Sequence, residues 1–86
     1  MTDILLVEDH VELAELIAAF LKRAGYQVVK KTSGEEALDF LEKDMTKLIL
    51  LDIMLPGMDG YTFCAAVRKK SNVPVLIMSA RADKED

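Results

Sequence analysis

Three short, uninterrupted apolar runs, each stopped abruptly by a polar side chain, constrain what this chain can fold into. They are Ile4-Leu5-Leu6-Val7, stopped by Glu8-Asp9; Leu48-Ile49-Leu50-Leu51, stopped by Asp52; and Val75-Leu76-Ile77-Met78, entered through Val73-Pro74 and stopped by Ser79. Runs this short without polar alternation read as strands covered on both faces. Helical periodicity fills the intervals. Leu13, Leu16, Ile17, Phe20 and Leu21 form one apolar stripe, with Asp9 as N-cap, Glu12 in the first turn and Gly25 as a left-handed stop. Tyr26 to Lys31 carries Gln27, Lys30 and Lys31 and reads as an edge strand. Ser33 and Glu36 form a capping-box pattern opening a helix through Ala37, Leu38 and Leu41. After Asp52 comes a turn-rich loop, Leu55-Pro56-Gly57-Met58-Asp59-Gly60. The helix that follows turns Phe63, Ala66 and Val67 inward and ends in Arg68-Lys69-Lys70.

The order is therefore βαβαβαβ, which predicts a parallel sheet with helices on both faces and strand order 2-1-3-4. At 86 residues the chain is one domain or less. Its 51% hydrophobic content excludes a disordered tail. A net charge of −4 without a basic cluster argues against nucleic-acid binding by this surface. One cysteine rules out a disulfide framework or a cysteine-based zinc site. No apolar run approaches the ~18 residues of a membrane span, and the N-terminus is no signal peptide. The expectation is a soluble, cytoplasmic, acidic unit.

In an open parallel sheet, ligands bind beyond the carboxyl ends of the strands, where strand order reverses. If the first and third strands are neighbours, Glu8, Asp9 and Asp52 converge there. Clustered carboxylates repel one another, and a hard divalent cation, Mg²⁺ above all, suits such a donor set. A single acid after a strand is commonly only a helix cap. Asp52 resists that explanation, because Pro56-Gly57 makes the following segment a loop.

Three segments together carry a resemblance: Ile4-Leu5-Leu6-Val7-Glu8-Asp9, Leu50-Leu51-Asp52-Ile53-Met54-Leu55-Pro56-Gly57-Met58-Asp59-Gly60, and Pro74-Val75-Leu76-Ile77-Met78-Ser79-Ala80. The chain resembles the receiver domain of bacterial two-component response regulators, most of all those with a winged-helix DNA-binding output domain. The resemblance implies a flavodoxin-like, doubly wound parallel sheet. It implies that Asp52 is the phosphoacceptor for a sensor histidine kinase. It makes Glu8 and Asp9 the acidic pair for Mg²⁺, Asp9 more directly and Glu8 through water, with Asp52 and the backbone carbonyl of Met54 as further ligands. Ser79 corresponds to the hydroxyl that bonds the phosphoryl group and moves on activation, and Ala80 to the small residue that leaves the group room. Val11, Ala14 and Ala18, a small-residue stripe on the first helix, correspond to a kinase-docking face; tolerance of alanine on a solvated face explains the same stripe.

The resemblance departs at the C-terminal end. The family pattern continues with a helix, a strand ending in a phosphoryl-pairing lysine, and a last helix; residues 1–86 carry (βα)3β alone. No lysine here takes that role, and no output domain lies in this chain. The fourth strand has an interior pattern at an expected edge, so self-association or exchange of terminal elements between copies is expected. The leading reading is a regulatory phosphoacceptor rather than an enzyme, acting on DNA only through an effector domain outside these residues. A metal-binding fragment that does not signal remains open. A Mg²⁺-dependent phosphohydrolase with an aspartyl-phosphate intermediate requires a carboxylate where Met54 stands. A flavin binder requires a phosphate loop where Glu8-Asp9 stands. His10 reads as a solvent-facing first-turn residue, Cys64 as a small packed helix residue, and Lys30-Lys31 and Arg68-Lys69-Lys70 as solvated charge.

Overall fold

Strands and helices alternate as the apolar runs require: β1 (Thr2–Val7), α1 (Val11–Arg23), β2 (Val28–Lys31), α2 (Gly34–Lys43), β3 (Thr46–Asp52), α3 (Gly60–Arg68) and β4 (Val75–Met78). They belong to a computed structural model that describes residues 1–52, 55 and 57–78. The strands form one parallel sheet in the order β2-β1-β3-β4, as predicted. Val7 is in register with Lys31 on one side and Leu51 on the other, and Asp52 with Met78.

Both faces of the central strands are covered, which is why their sequences do not alternate with polar residues. Leu5, Val7, Ile49 and Leu51 meet Ala37 of α2 and Phe63 and Val67 of α3 on one face. Ile4, Leu6 and Leu50 meet Ala14 and Ala18 of α1 on the other. Local chemistry sets the helix ends. The Ser33 hydroxyl accepts from the Glu36 N–H at 3.1 Å, and the Glu36 carboxylate accepts from the Thr32 N–H at 3.2 Å. Asp59 Oδ1 accepts from the Thr62 N–H at 2.8 Å and caps α3. Gly25, at φ 104°, takes the left-handed conformation expected after α1.

Four expectations need correction. The buried stripe of α1 runs through Ala14 and Ala18, 3% and 2% exposed, flanked by Ile17 and Leu21, whereas Leu16 and Phe20 are 69% and 72% exposed. Both stripes satisfy the helical period. The alanines win because they let the helix axis lie close over Leu6 and Leu50, which fill the space beneath. Of the expected docking stripe, Val11 stays exposed, while Ala14 and Ala18 are unavailable to a kinase. The N-cap of α1 is His10 rather than Asp9. The basic run after α3 is not simply solvated: the Arg68 guanidinium donates to the carbonyls of Ser71 and Val73 and braces the turn into β4, and Lys70 pairs with Glu42.

Among the described residues β4 pairs with β3 alone. It leaves Leu76 57% and Ile77 43% exposed. No described helix is long and apolar enough to cross a membrane.

Candidate functional site

The parallel register brings the last residues of β1 and β3 to the same end of the sheet. Glu8 follows Val7, whose partner is Leu51, so Asp52 stands beside it on the neighbouring strand. Glu8 and Asp52 are buried, 2% and 5% exposed, and Asp9 is exposed at the rim. One carboxylate oxygen from each lies within 4.8 Å of the others. The turn from β1 into α1 is tied to the cluster, because the His10 N–H donates to Glu8 Oε2 at 3.1 Å.

Burial pushes the Glu8 carboxyl above its ordinary range. The His10 N–H opposes that shift; the carboxylates of Asp52 and Asp9 add to it. Two buried acids and one exposed acid in mutual range form an all-oxygen, negatively charged cup open on the Asp9 side. These donors fit a hard divalent cation that keeps several waters, and Mg²⁺ answers that description. A cation there would relieve the strain that burial places on Glu8.

The structure thus brings together three of the residues singled out in the sequence: Glu8, Asp9 and Asp52. Met54, Ser79 and Ala80 lie outside the described residues. His10 contributes its backbone N–H rather than its ring, and Cys64 is a half-buried free thiol packed against the core. Sequence reasoning missed two anchors of the segment after Asp52. Leu55 is buried in the core among Val7, Ala37 and Phe63. Asp59 caps α3, which an Asp-Gly pair just ahead of a helical stripe signals.

A parallel sheet with an acidic cup beyond its carboxyl edge is the open α/β arrangement in which ligands bind at the strand ends. Residues 4–86 match the response regulator receiver domain family, and the chain belongs to that family. It is 43% identical over 83 residues to the uncharacterized transcriptional regulatory protein YrkP of Bacillus subtilis, covering 96% of this chain and 36% of that protein. It is 38% identical over 86 residues to the sensory transduction protein RegX3 of Mycobacterium bovis, covering 100% of this chain and 38% of that protein. It therefore spans little more than a third of the length of these two relatives. Among solved structures, the response regulator protein TrrA of Thermotoga maritima, in complex with Mg²⁺-BeF, superposes with a TM-score of 0.85 at 32% identity, covering 93% of this chain and 70% of that one. The chain is a receiver domain of the response-regulator type, with the fold expected of it.

Proposed function

We propose that Asp52 accepts a phosphoryl group from a phosphohistidine of a sensor histidine kinase, with Mg²⁺ held by Glu8, Asp9 and Asp52. The convergence of these carboxylates at the ends of adjacent strands carries the reading. An Asp52 oxygen attacks phosphorus, the P–N bond breaks, and the imidazole leaves with the bond's electron pair, giving an aspartyl phosphate on this chain. Bound Mg²⁺ supplies positive charge for the transferring oxygens, the main need of phosphoryl transfer. Burial of Asp52 keeps water from much of the carboxylate, and the fixed β1–β3 register holds it against Glu8. By their correspondence to the family's motifs, the Met54 carbonyl would serve as a further metal ligand, the Ser79 hydroxyl would bond the phosphoryl group and Ala80 would leave it room. The phosphorylated domain regulates rather than turns over substrate, and its output reaches DNA through an effector domain outside these residues. That both relatives are named as regulatory or signalling proteins supports this assignment. Kinase docking on α1 falls to its exposed apolar residues Val11, Leu16 and Phe20.

Incubation with acetyl phosphate and Mg²⁺ tests the assignment by intact mass. The expected adduct is one phosphoryl group, labile to hydroxylamine and absent from Asp52→Asn. An adduct that persists in Asp52→Asn, or maps to Ser79 or His10, would refute it.

A further inference from the structure

We propose that the groove between α2 and α3 is a docking site for a basic peptide segment of a partner protein, one apolar side chain of which seats at the groove's deep end. The groove follows α2, whose 10 residues span about 15 Å. Near the end of α2 it deepens into a cavity of about 160 Å³ between the two helices and the start of β3. Leu38, Leu41, Met45 and Val67 supply its apolar lining. Toward the start of α2 it widens into an open trough of about 570 Å³ over Leu38 and Met58. Leu38 lines both parts, so they are continuous. No residue of β4 and none of the three clustered acids contributes a wall. The groove is therefore separate from both the open sheet edge and the acidic cup.

The two ends select different chemistry. Polar groups around the cavity are already engaged within the chain. The Thr46 hydroxyl donates to the Leu48 carbonyl, Asp44 Oδ1 accepts from the Met45 N–H, and the Ser71 hydroxyl accepts from the Val73 N–H. An apolar cavity of about 150 Å³ holds a molecule the size of benzene, so a leucine, methionine or phenylalanine side chain fits here. A polar side chain would give up its water without gaining a partner. The trough is acidic. Glu35, Asp39 and Glu42 stand at i, i+4 and i+7 on one face of α2, and all three are exposed. Lys43 lies 3.9 Å from Asp39, Lys70 pairs with Glu42, and among the described residues no cation lies within ion-pair distance of Glu35. Lys70 lines the cavity from the α3 side and sets its ammonium on Glu42 of α2. A cation on an apolar stem is thus already held across the groove. About five extended residues span its length, and a segment with one apolar side chain among lysines or arginines satisfies both ends.

The probe is a fluorescein-labelled pentapeptide with capped ends, one leucine flanked by two lysines on each side. Its binding to the chain is read by fluorescence anisotropy, at concentrations where light scattering shows a monomer. Saturable binding is expected, with shifts in the amide NMR signals of Leu38, Leu41, Met45 and Ser71. Replacing the probe's leucine by alanine should cost about tenfold in affinity, as expected for an apolar side chain partly removed from water. Neutralising the trough with Glu35→Gln and Asp39→Asn together should weaken binding about three- to tenfold at low salt, with thermal unfolding still cooperative, and added salt should narrow that difference. Absence of saturable binding would overturn the proposal. So would an affinity indifferent to the probe's leucine or to the two carboxylates. Amide shifts centred on Asp9 and His10, or on Leu16 and Phe20, would place the peptide elsewhere and overturn it as well. A probe displaced as the chain self-associates would make a second copy the occupant and overturn the assignment to a partner protein.

Discussion

Glu8 is buried beside two other carboxylates, and that placement has a measurable sign. Its carboxyl is raised above the ordinary 4.5, mainly by burial. Between the ordinary value and the raised one, the folded chain keeps a proton there that the unfolded chain releases. The corresponding stability is fully present below pH 4.5 and is lost as pH rises through the folded value. Asp3 and Glu36 are shifted the other way, Asp3 by the Gln27 N–H and Glu36 by the Thr32 N–H, so the Glu8 contribution must be read as a difference between variants. Without metal at pH 7, Glu8→Gln should melt several degrees above wild type, since about 1 kcal/mol moves a domain of this size by ~4–8 °C. The gap should close toward pH 4, which paired melts in a chelating buffer would show. Asp9 makes a complementary case. It is exposed and does not cap α1, and it is the weakest of the causes that raise Glu8, so Asp9→Asn should raise the metal-free melt less than Glu8→Gln does while weakening Mg²⁺ at least about tenfold, ~1.4 kcal/mol. Calorimetric titration showing equal affinity would remove Asp9 from the ligand set.

At the scale of elements, α1 shows how far a hydrophobic stripe can mislead. Leu16 and Phe20 fit the helical period yet face outward, and the sheet receives Ala14 and Ala18. Ala18→Leu should therefore destabilise by about 1–3 kcal/mol through overpacking between α1 and the Leu6–Leu50 surface. Leu16→Ala should change stability by no more than ~0.5 kcal/mol, as surface substitutions usually do. Chemical denaturation of the two variants separates these cases, and a larger loss for Leu16→Ala would mean that the exposed stripe is packed against something in solution. The capping box of α2 behaves as its sequence suggests, because a hydroxyl and a carboxylate within four residues need no distant partner. Arg68 differs. Its bonds to the Ser71 and Val73 carbonyls depend on a turn whose path is set by where β4 joins the sheet, so the sequence offered only a basic residue at a helix end.

For the molecule as a whole, the sheet of the described residues has unequal edges. β2 carries Lys30, which pairs with Glu15 at 3.8 Å, and Lys31, which lies over the Phe40 ring. Such charges discourage strand addition. β4 presents Leu76 and Ile77 instead, one toward each face. The 86-residue polypeptide is expected to self-associate through this edge at high concentration, and Leu76→Lys is expected to suppress it. Light scattering over a concentration series decides the matter: a monomer at every concentration in the unsubstituted chain would show that the edge is not a pairing surface.

The sequence by itself determined the alternation of strands and helices, the parallel sheet and its order, and the three acids that meet at its carboxyl edge. These follow from short-range signals. An apolar run, the polar residue that stops it and the period of the next helix all lie within a few positions of one another, and right-handed crossovers leave little freedom in joining them. Tertiary structure alone decided which stripe of α1 meets the sheet, how strongly Glu8 holds its proton, and that Arg68 braces the turn into β4. Each of these depends on how distant parts of the chain are brought together. Two stripes with the same period are distinguished only by the surface they pack on, and a carboxyl's proton affinity is set by the neighbours and the solvent that folding leaves around it.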